Sequence, residues 1–359
     1  MKHRRVLLGV AILLLSLGIV SVSLSGPFGE RLSKPNSVTA PVAPSGNKPS
    51  QATARAERTT SHSIVEPLDL ERLTNNADLI IIGRVNSISN QGRSIATLSL
   101  DKTVKGEANA GTIDVEFSAS VPSAYVRIQP QLFGMFFLKQ NVNGSYQILD
   151  PVYPAVIAPA NAVLTTEQGV DRTVNVVGQV LLTARAAEDR QVAVRVLSSA
   201  RTERATELLR QGVKDKDVVV RMQSISELLN RDDIETLEIA ERTLLNPPTG
   251  TDPYLLDNIS AALERIKDPR AIPALQRLLR SSSIRTRHGA VSALRQMRTM
   301  EAVEGLVIAL GDNNREVRYE AVIGLAELTG QNEWAPATGA FASDEQKYLD
   351  HWKEWSRNR

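Results

Sequence analysis

Two consecutive stretches of this chain carry the same pattern. Lys267–Met297 and Arg298–Leu328 align without a gap at an offset of 31 residues. Ala271 falls on Ala302, Ile272 on Val303, Leu275 on Leu306 and Leu279 on Leu310. Further on, Arg287 falls on Arg318, Ala290 on Ala321, Val291 on Val322, Leu294 on Leu325 and Met297 on Leu328. Within each copy the apolar positions recur at helical spacing. A fixed period of this length with that spacing marks stacked helical hairpins. A hairpin of this kind cannot bury its apolar face alone and must stack on a neighbour.

The chain reads as helical from Asp171 onward. Asn175–Ala187 and Arg190–Ser199 read as a capping pair, and four hairpins follow. They pair Thr202–Gly212 with Val219–Asn230, Asp233–Leu245 with Pro253–Lys267, Pro269–Arg280 with Ile284–Met297, and Thr299–Leu310 with Arg315–Thr329. Asp268 before Pro269 is a helix-start signal, and Asp312-Asn313-Asn314 leads into the last second helix. Residues 331–359 read as a closing segment. Tyr348, Trp352 and Trp355 share one helical face there and can cover the exposed end of the stack.

The units share a further element: an aspartate, five residues, then an arginine opening the second helix. Asp215 stands in this relation to Arg221, and Asp312 to Arg318. Ser281 takes the aspartate's place in the third copy, although Arg287 is kept, and Leu256 takes the arginine's place in the 233–267 unit. Asp215, Arg221, Arg287, Asp312 and Arg318 are therefore expected to be structural, each arginine bonding the carboxylate or carbonyls of an adjoining loop. On this element, residues 171–330 resemble the HEAT-like repeats in the short bacterial form also seen in phycobilin lyases. The resemblance implies a right-handed α-solenoid that binds other proteins. It also implies an alternative, an exported enzyme or lyase with its site on the concave face.

Ahead of the repeats, residues 63–160 alternate with period two between Gly and Asn punctuation. Leu68–Asn75 reads as a short helix. Leu79–Val85, Ser94–Val104, Thr112–Ser118, Gln131–Lys139 and Tyr146–Leu149 then read as strands of a small antiparallel β domain. Ala77-Asp78-Leu79-Ile80-Ile81-Ile82-Gly83-Arg84-Val85, Val104-Lys105-Gly106 and Phe133-Gly134-Met135-Phe136-Phe137-Leu138 resemble the oligonucleotide/oligosaccharide-binding barrel of netrin-like and metalloproteinase-inhibitor modules. That resemblance implies a small β barrel and leaves a secreted inhibitor as a third reading. Those families usually carry disulfides and this chain has no cysteine, so their inhibitory function does not carry over. The expected fold is thus multidomain, a small antiparallel β barrel followed by the solenoid.

The N-terminus points outward. Lys2, His3, Arg4 and Arg5 precede an uncharged apolar run, Val6–Leu24, which is an export pattern. The run approaches the roughly 17–25 residues that span a bilayer. Residues 1–25 thus read as a signal peptide or as a single transmembrane anchor, with the bulk outside the cytoplasm. Residues 26–62 are rich in Pro, Ser, Thr and Ala and are expected to be a disordered linker.

Little chemistry is visible. The four histidines have no metal-ligand spacing, no cysteine can substitute, and no nucleophile elbow or phosphate loop occurs. No cofactor or metal is expected, nor enzymatic activity. The net charge of +2 argues against nucleic-acid binding. One charge feature stands out. Residues 265–298 hold nine basic residues against Asp268 alone, between two acidic neighbours. Two readings compete: attraction between stacked repeats, or a site for an acidic protein partner built from Arg277, Arg280, Arg285 and Arg287. The expected function is a non-enzymatic, extracytoplasmic scaffold that binds proteins.

Overall fold

The computed structural model describes residues 68–359 apart from 91, 109 and 122–125. The basic start, the apolar run and the whole of the 26–62 linker lie outside the described residues. Among the described residues no helix is long and apolar enough to cross a membrane.

A short helix, α1 (Leu70–Asn76), leads into the barrel; the Asp69 carboxylate caps it by accepting from the Arg72 amide at 2.8 Å. The strands are β1 (Leu79–Ser89), β2 (Ser94–Lys105), β3 (Thr112–Phe117), β4 (Phe133–Gln140) and β5 (Tyr146–Ile148). They close in the order β1-β2-β3-β5-β4. All neighbours are antiparallel except β3 and β5, which run parallel through Val115–Tyr146 and Glu116–Gln147. The expectation of a wholly antiparallel barrel is corrected at this seam. A tight turn at Asn141–Gly144 folds β5 back along β4, which leaves its free edge running with β3.

The two longest apolar runs of the barrel are buried on both faces. Leu79, Ile81, Phe136 and Leu138 point inward with Val85, Leu98 and Val115. Their alternates Ile80, Ile82, Met135 and Phe137 join a second core with Leu70 and Leu73 of α1. Period-two strands buried on both sides read as continuous apolar sequence. Gly83 sits where β1 shifts register against β2; a Cβ there would lie 2.1 Å from the Ser99 carbonyl oxygen.

Twelve further helices follow: α2 (Gly169–Thr183), α3 (Ala187–Ser198), α4 (Glu203–Gly212), α5 (Val218–Leu229), α6 (Leu237–Leu245), α7 (Pro253–Ala262), α8 (Ile272–Leu278), α9 (Ile284–Gln296), α10 (Val303–Ala309), α11 (Arg315–Thr329), α12 (Thr338–Ser343) and α13 (Glu345–Arg357). The second helices α3, α5, α7, α9 and α11 stack in series, and α6, α8 and α10 stack alongside. Starts are set by side-chain caps: Thr202, Asp217, Asp252, Ser283 and Asn314 each accept from an amide in the first turn. Gly330 ends α11 in the left-handed conformation at φ 74°. Several helices are shorter than the periodicity suggests. Ile234–Thr236, Pro269–Ala271 and Met300–Ala302 form 3₁₀ turns ahead of α6, α8 and α10. The helix expected over Asn175–Ala187 runs instead from Gly169 to Thr183.

The barrel seals the first end of the stack. Val174 and Val177 of α2 share the core that holds Ile80, Ile82 and Phe137. Arg172 donates to the Val104 carbonyl at 3.1 Å, and the Leu70 amide donates to Ser199 Oγ at 3.2 Å. Barrel and repeats form one compact unit. Packing within the stack is close. A Cβ on Gly289 of α9 would sit 2.2 Å from the Ser260 carbonyl oxygen of α7. Gly289→Ala is expected to force the two helices apart and cost about 1–3 kcal/mol, as overpacking does. Urea unfolding checks this; an unchanged midpoint would mean that the two helices tolerate a wider spacing.

Candidate functional site at the turns of the basic repeat

The shared arginines, with Arg190 of α3 as a fourth, open second helices, and all but Arg221 reach two ways. Backward, each donates to the carbonyls of its own preceding turn. Arg190 bonds Ala184, Arg185 and Ala186, Arg221 bonds Asp215 and Lys216, Arg287 bonds Ser281 and Ser282, and Arg318 bonds Asp312. Forward, three of them grip an acid further along. Arg190 forks onto the Asp215 carboxylate at 2.7 and 2.9 Å, and Arg287 onto Asp312 at 2.6 and 3.0 Å. Arg318 pairs with Glu345 of the closing helix. The ion pairs therefore run between successive units. Within one unit the arginine takes only the aspartate's backbone oxygen, which corrects the simplest reading of the Asp215/Arg221 and Asp312/Arg318 spacing.

The irregular unit fits this rule. Leu256 stands where its arginine would be, so no guanidinium reaches forward from it. The next turn carries Ser281 in place of an acid. The Ser281 hydroxyl still accepts from the Ser283 amide at 3.2 Å, as Asp215 accepts from Asp217 and Asp312 from Asn314. The serine keeps the turn and drops the charge. Gly250 likewise replaces the acid that would meet Arg221. Burial opposes ionisation of Asp215 and Asp312, but the guanidinium beside each outweighs it, and both carboxyls are held below the usual range.

The four arginines proposed for an acidic partner separate into two pairs. Arg287 is buried in the ladder. Arg277 reaches the previous unit and forks onto Glu241 at 2.5 and 2.8 Å. Other charges of the basic repeat are also consumed by its acidic neighbours. Arg295 binds Glu320 at 2.8 Å and Glu327 at 2.6 and 2.9 Å. His288 Nδ1 lies 3.6 Å from Glu264, which raises the histidine's pKa. Arg280 and Arg285 differ: both are exposed, and neither has an ion-pair partner among the described residues.

These two arginines stand on one edge of the stack, where first helices turn into second helices. A shallow depression crosses from the turn after α8 to the turn after α10. Its rim includes Arg280, Ser282, Ile308 and Asn313, and its floor holds the Arg287–Asp312 pair. Ile284, at the start of α9, and Ile308, near the end of α10, are exposed beside it. Tyr254 opens α7, which packs along α9, so its exposed ring lies on the same edge one unit earlier. The charge run gave the arginines. The apolar members were missed, although the 31-residue offset sets Ile284 on Arg315 and Ile308 on Arg277, positions that are charged in the sister copy.

Residues 249–326 match the family of HEAT repeats. The chain is similar in structure to the complex of CpcE and CpcF of phycocyanin lyase from Nostoc sp. PCC7120, with 18% identity, 49% of this chain and 72% of that chain covered, and a TM-score of 0.37. It is similar to an engineered protein at 19% identity, over 50% of this chain and 96% of that one, with a TM-score of 0.35. It is also similar to human deoxyhypusine hydroxylase in complex with glycerol at 15% identity, over 52% and 96% of the two chains, with a TM-score of 0.25. No curated protein matches the chain.

Proposed function

We propose that this chain is a non-enzymatic, extracytoplasmic scaffold that holds a protein partner on its HEAT-like solenoid. The observation that carries the reading is the division of charge in the basic repeat. Arg277, Arg287 and Arg295 are spent on neighbouring units, whereas Arg280 and Arg285 remain open beside exposed Ile284, Ile308 and Tyr254. An edge that mixes uncommitted arginines with exposed apolar side chains suits protein recognition. Export rests on Lys2–Arg5 and the Val6–Leu24 run. An uncleaved run would tether the protein to the membrane. The barrel's strand order, closed through the parallel β3–β5 pair, supports the oligonucleotide/oligosaccharide-binding barrel reading of residues 63–160.

Two measurements test the proposal. Protease added to intact spheroplasts is expected to digest the folded part, and full protection there would defeat the export reading. A photo-crosslinking residue at Ile284 in the native cell is expected to trap a protein, with Val142 on the barrel's Asn141–Gly144 turn as the control position. Equal yields at the two positions would remove the turn edge as a binding surface.

A further inference from the structure

We infer that the partner lays an acidic segment with interspersed apolar residues across this turn edge, over Arg280, Arg285, Ile284 and Ile308. The inference rests on the scaffold reading and names the chemistry of its partner. Charge complementarity fixes the sign. Of the acids on neighbouring units, Glu241, Asp312, Glu320 and Glu327 are already paired with arginines, and Glu264 lies 3.6 Å from His288 Nδ1. Arg280 and Arg285 have none among the described residues, so an incoming carboxylate meets two free planar forks, each able to donate two hydrogen bonds. Arg280 and Ile308 both line the depression between the turns, and Ser282 and Asn313 add polar groups to it. The Arg287–Asp312 pair in its floor is satisfied internally and adds no net charge. The surface therefore asks for negative charge and for apolar side chains within a few residues of each other. Peptide meets that requirement, whereas a bare phosphate has no use for the isoleucines.

The full chain is titrated, by fluorescence anisotropy, with three labelled decapeptides. One alternates glutamate and leucine, one alternates lysine and leucine, and one alternates glutamate and serine. The glutamate–leucine peptide is expected to bind best. R280E/R285E is expected to weaken it by about tenfold or more, since two attractions become repulsions. The same variant should come to prefer the lysine–leucine peptide. Its urea midpoint should match the wild type, because neither arginine is tied to a neighbouring repeat. Two results would each overturn the inference: equal affinity of variant and wild type for the glutamate–leucine peptide, or no binding of that peptide at all. The Ile284 crosslink separates this failure from failure of the scaffold reading. A trapped protein with no preference for acidic peptide leaves a scaffold whose partner has another chemistry.

Discussion

Replacing Arg287 by methionine should cost about 3–5 kcal/mol of stability, the penalty for removing one member of a buried ion pair. The two side chains are 8% and 6% exposed, so water cannot replace the missing partner. The variant loses the fork onto Asp312, the bond to Asn313 and the two bonds to the turn carbonyls of Ser281 and Ser282. It leaves the Asp312 carboxylate buried without its principal counter-charge. The comparison is Arg277→Met. That side chain is 56% exposed, and its pair with Glu241 is worth about 1 kcal/mol or less. The pH dependence follows from the sign of the shift. In the wild type Asp312 has a folded pKa below its unfolded value, so its stabilisation is present above the unfolded pKa and is lost as pH falls through the folded one. Without Arg287 the carboxyl keeps the Asn314 amide and the nearby Arg318 charge but loses its principal counter-charge, so burial pushes its pKa above that of the wild type. The gap between variant and wild type should therefore be widest near neutrality and shrink toward about pH 4. Urea titrations at both pH values decide it. A gap below 1 kcal/mol at neutral pH would reduce the ladder to decoration.

The ladder also shows how much of this architecture could be read from sequence. The 31-residue offset places Arg287 on Arg318, and helical spacing identifies Leu294 and Leu325 as core, both fully buried. What spacing could not reveal is direction. An aspartate six residues before an arginine looks like a partner. In the folded chain the turn holds them so that the arginine takes the aspartate's backbone oxygen and sends its fork to the next unit. The informative signal was the double departure, Leu256 together with Ser281, because an acid is needed only where the preceding unit supplies a cation. The docking of barrel on solenoid was not read from the sequence, although two runs carried a signal for it. Leu79-Ile80-Ile81-Ile82 and Met135-Phe136-Phe137-Leu138 do not alternate, and strands that fail to alternate are covered on both faces.

The candidate site was legible only in part, for an energetic reason. A run of basic residues records charge but not its use: Arg277, Arg287 and Arg295 are taken by acids of adjacent units, while Arg265, Lys267, Arg280, Arg285 and Arg298 are exposed with no ion pair among the described residues. Arg280 and Arg285 escape by position. One lies on the turn after α8 and the other in the first turn of α9, and both are exposed. Ile284 and Ile308 left a trace only in the comparison of the two copies, where each falls on an arginine, Arg315 and Arg277; a pattern read for apolar spacing alone passes over them.

At the far end of the stack, Trp352→Ala should be the most damaging change outside the ladder, costing about 3–5 kcal/mol. The ring is fully buried beneath α13, which packs on α10 and α11, and Trp355 meets it edge-on at 5.5 Å. Tyr348 and Trp355 are only partly buried around it, so Trp352 is the anchor of the aromatic face expected there. Its indole Nε1 is buried without a hydrogen-bond partner among the described residues. Phenylalanine should therefore be tolerated far better than alanine, since it keeps most of the ring while removing an unpaired donor. Stacked repeats are stabilised through nearest neighbours, so the loss should also be local. In hydrogen exchange, amides of α10 and α11 should lose protection first while those of β1 and β4 keep theirs. Uniform loss across both regions would mean that barrel and repeats unfold as a single cooperative block, and that the closing helix stabilises the whole chain rather than its last unit.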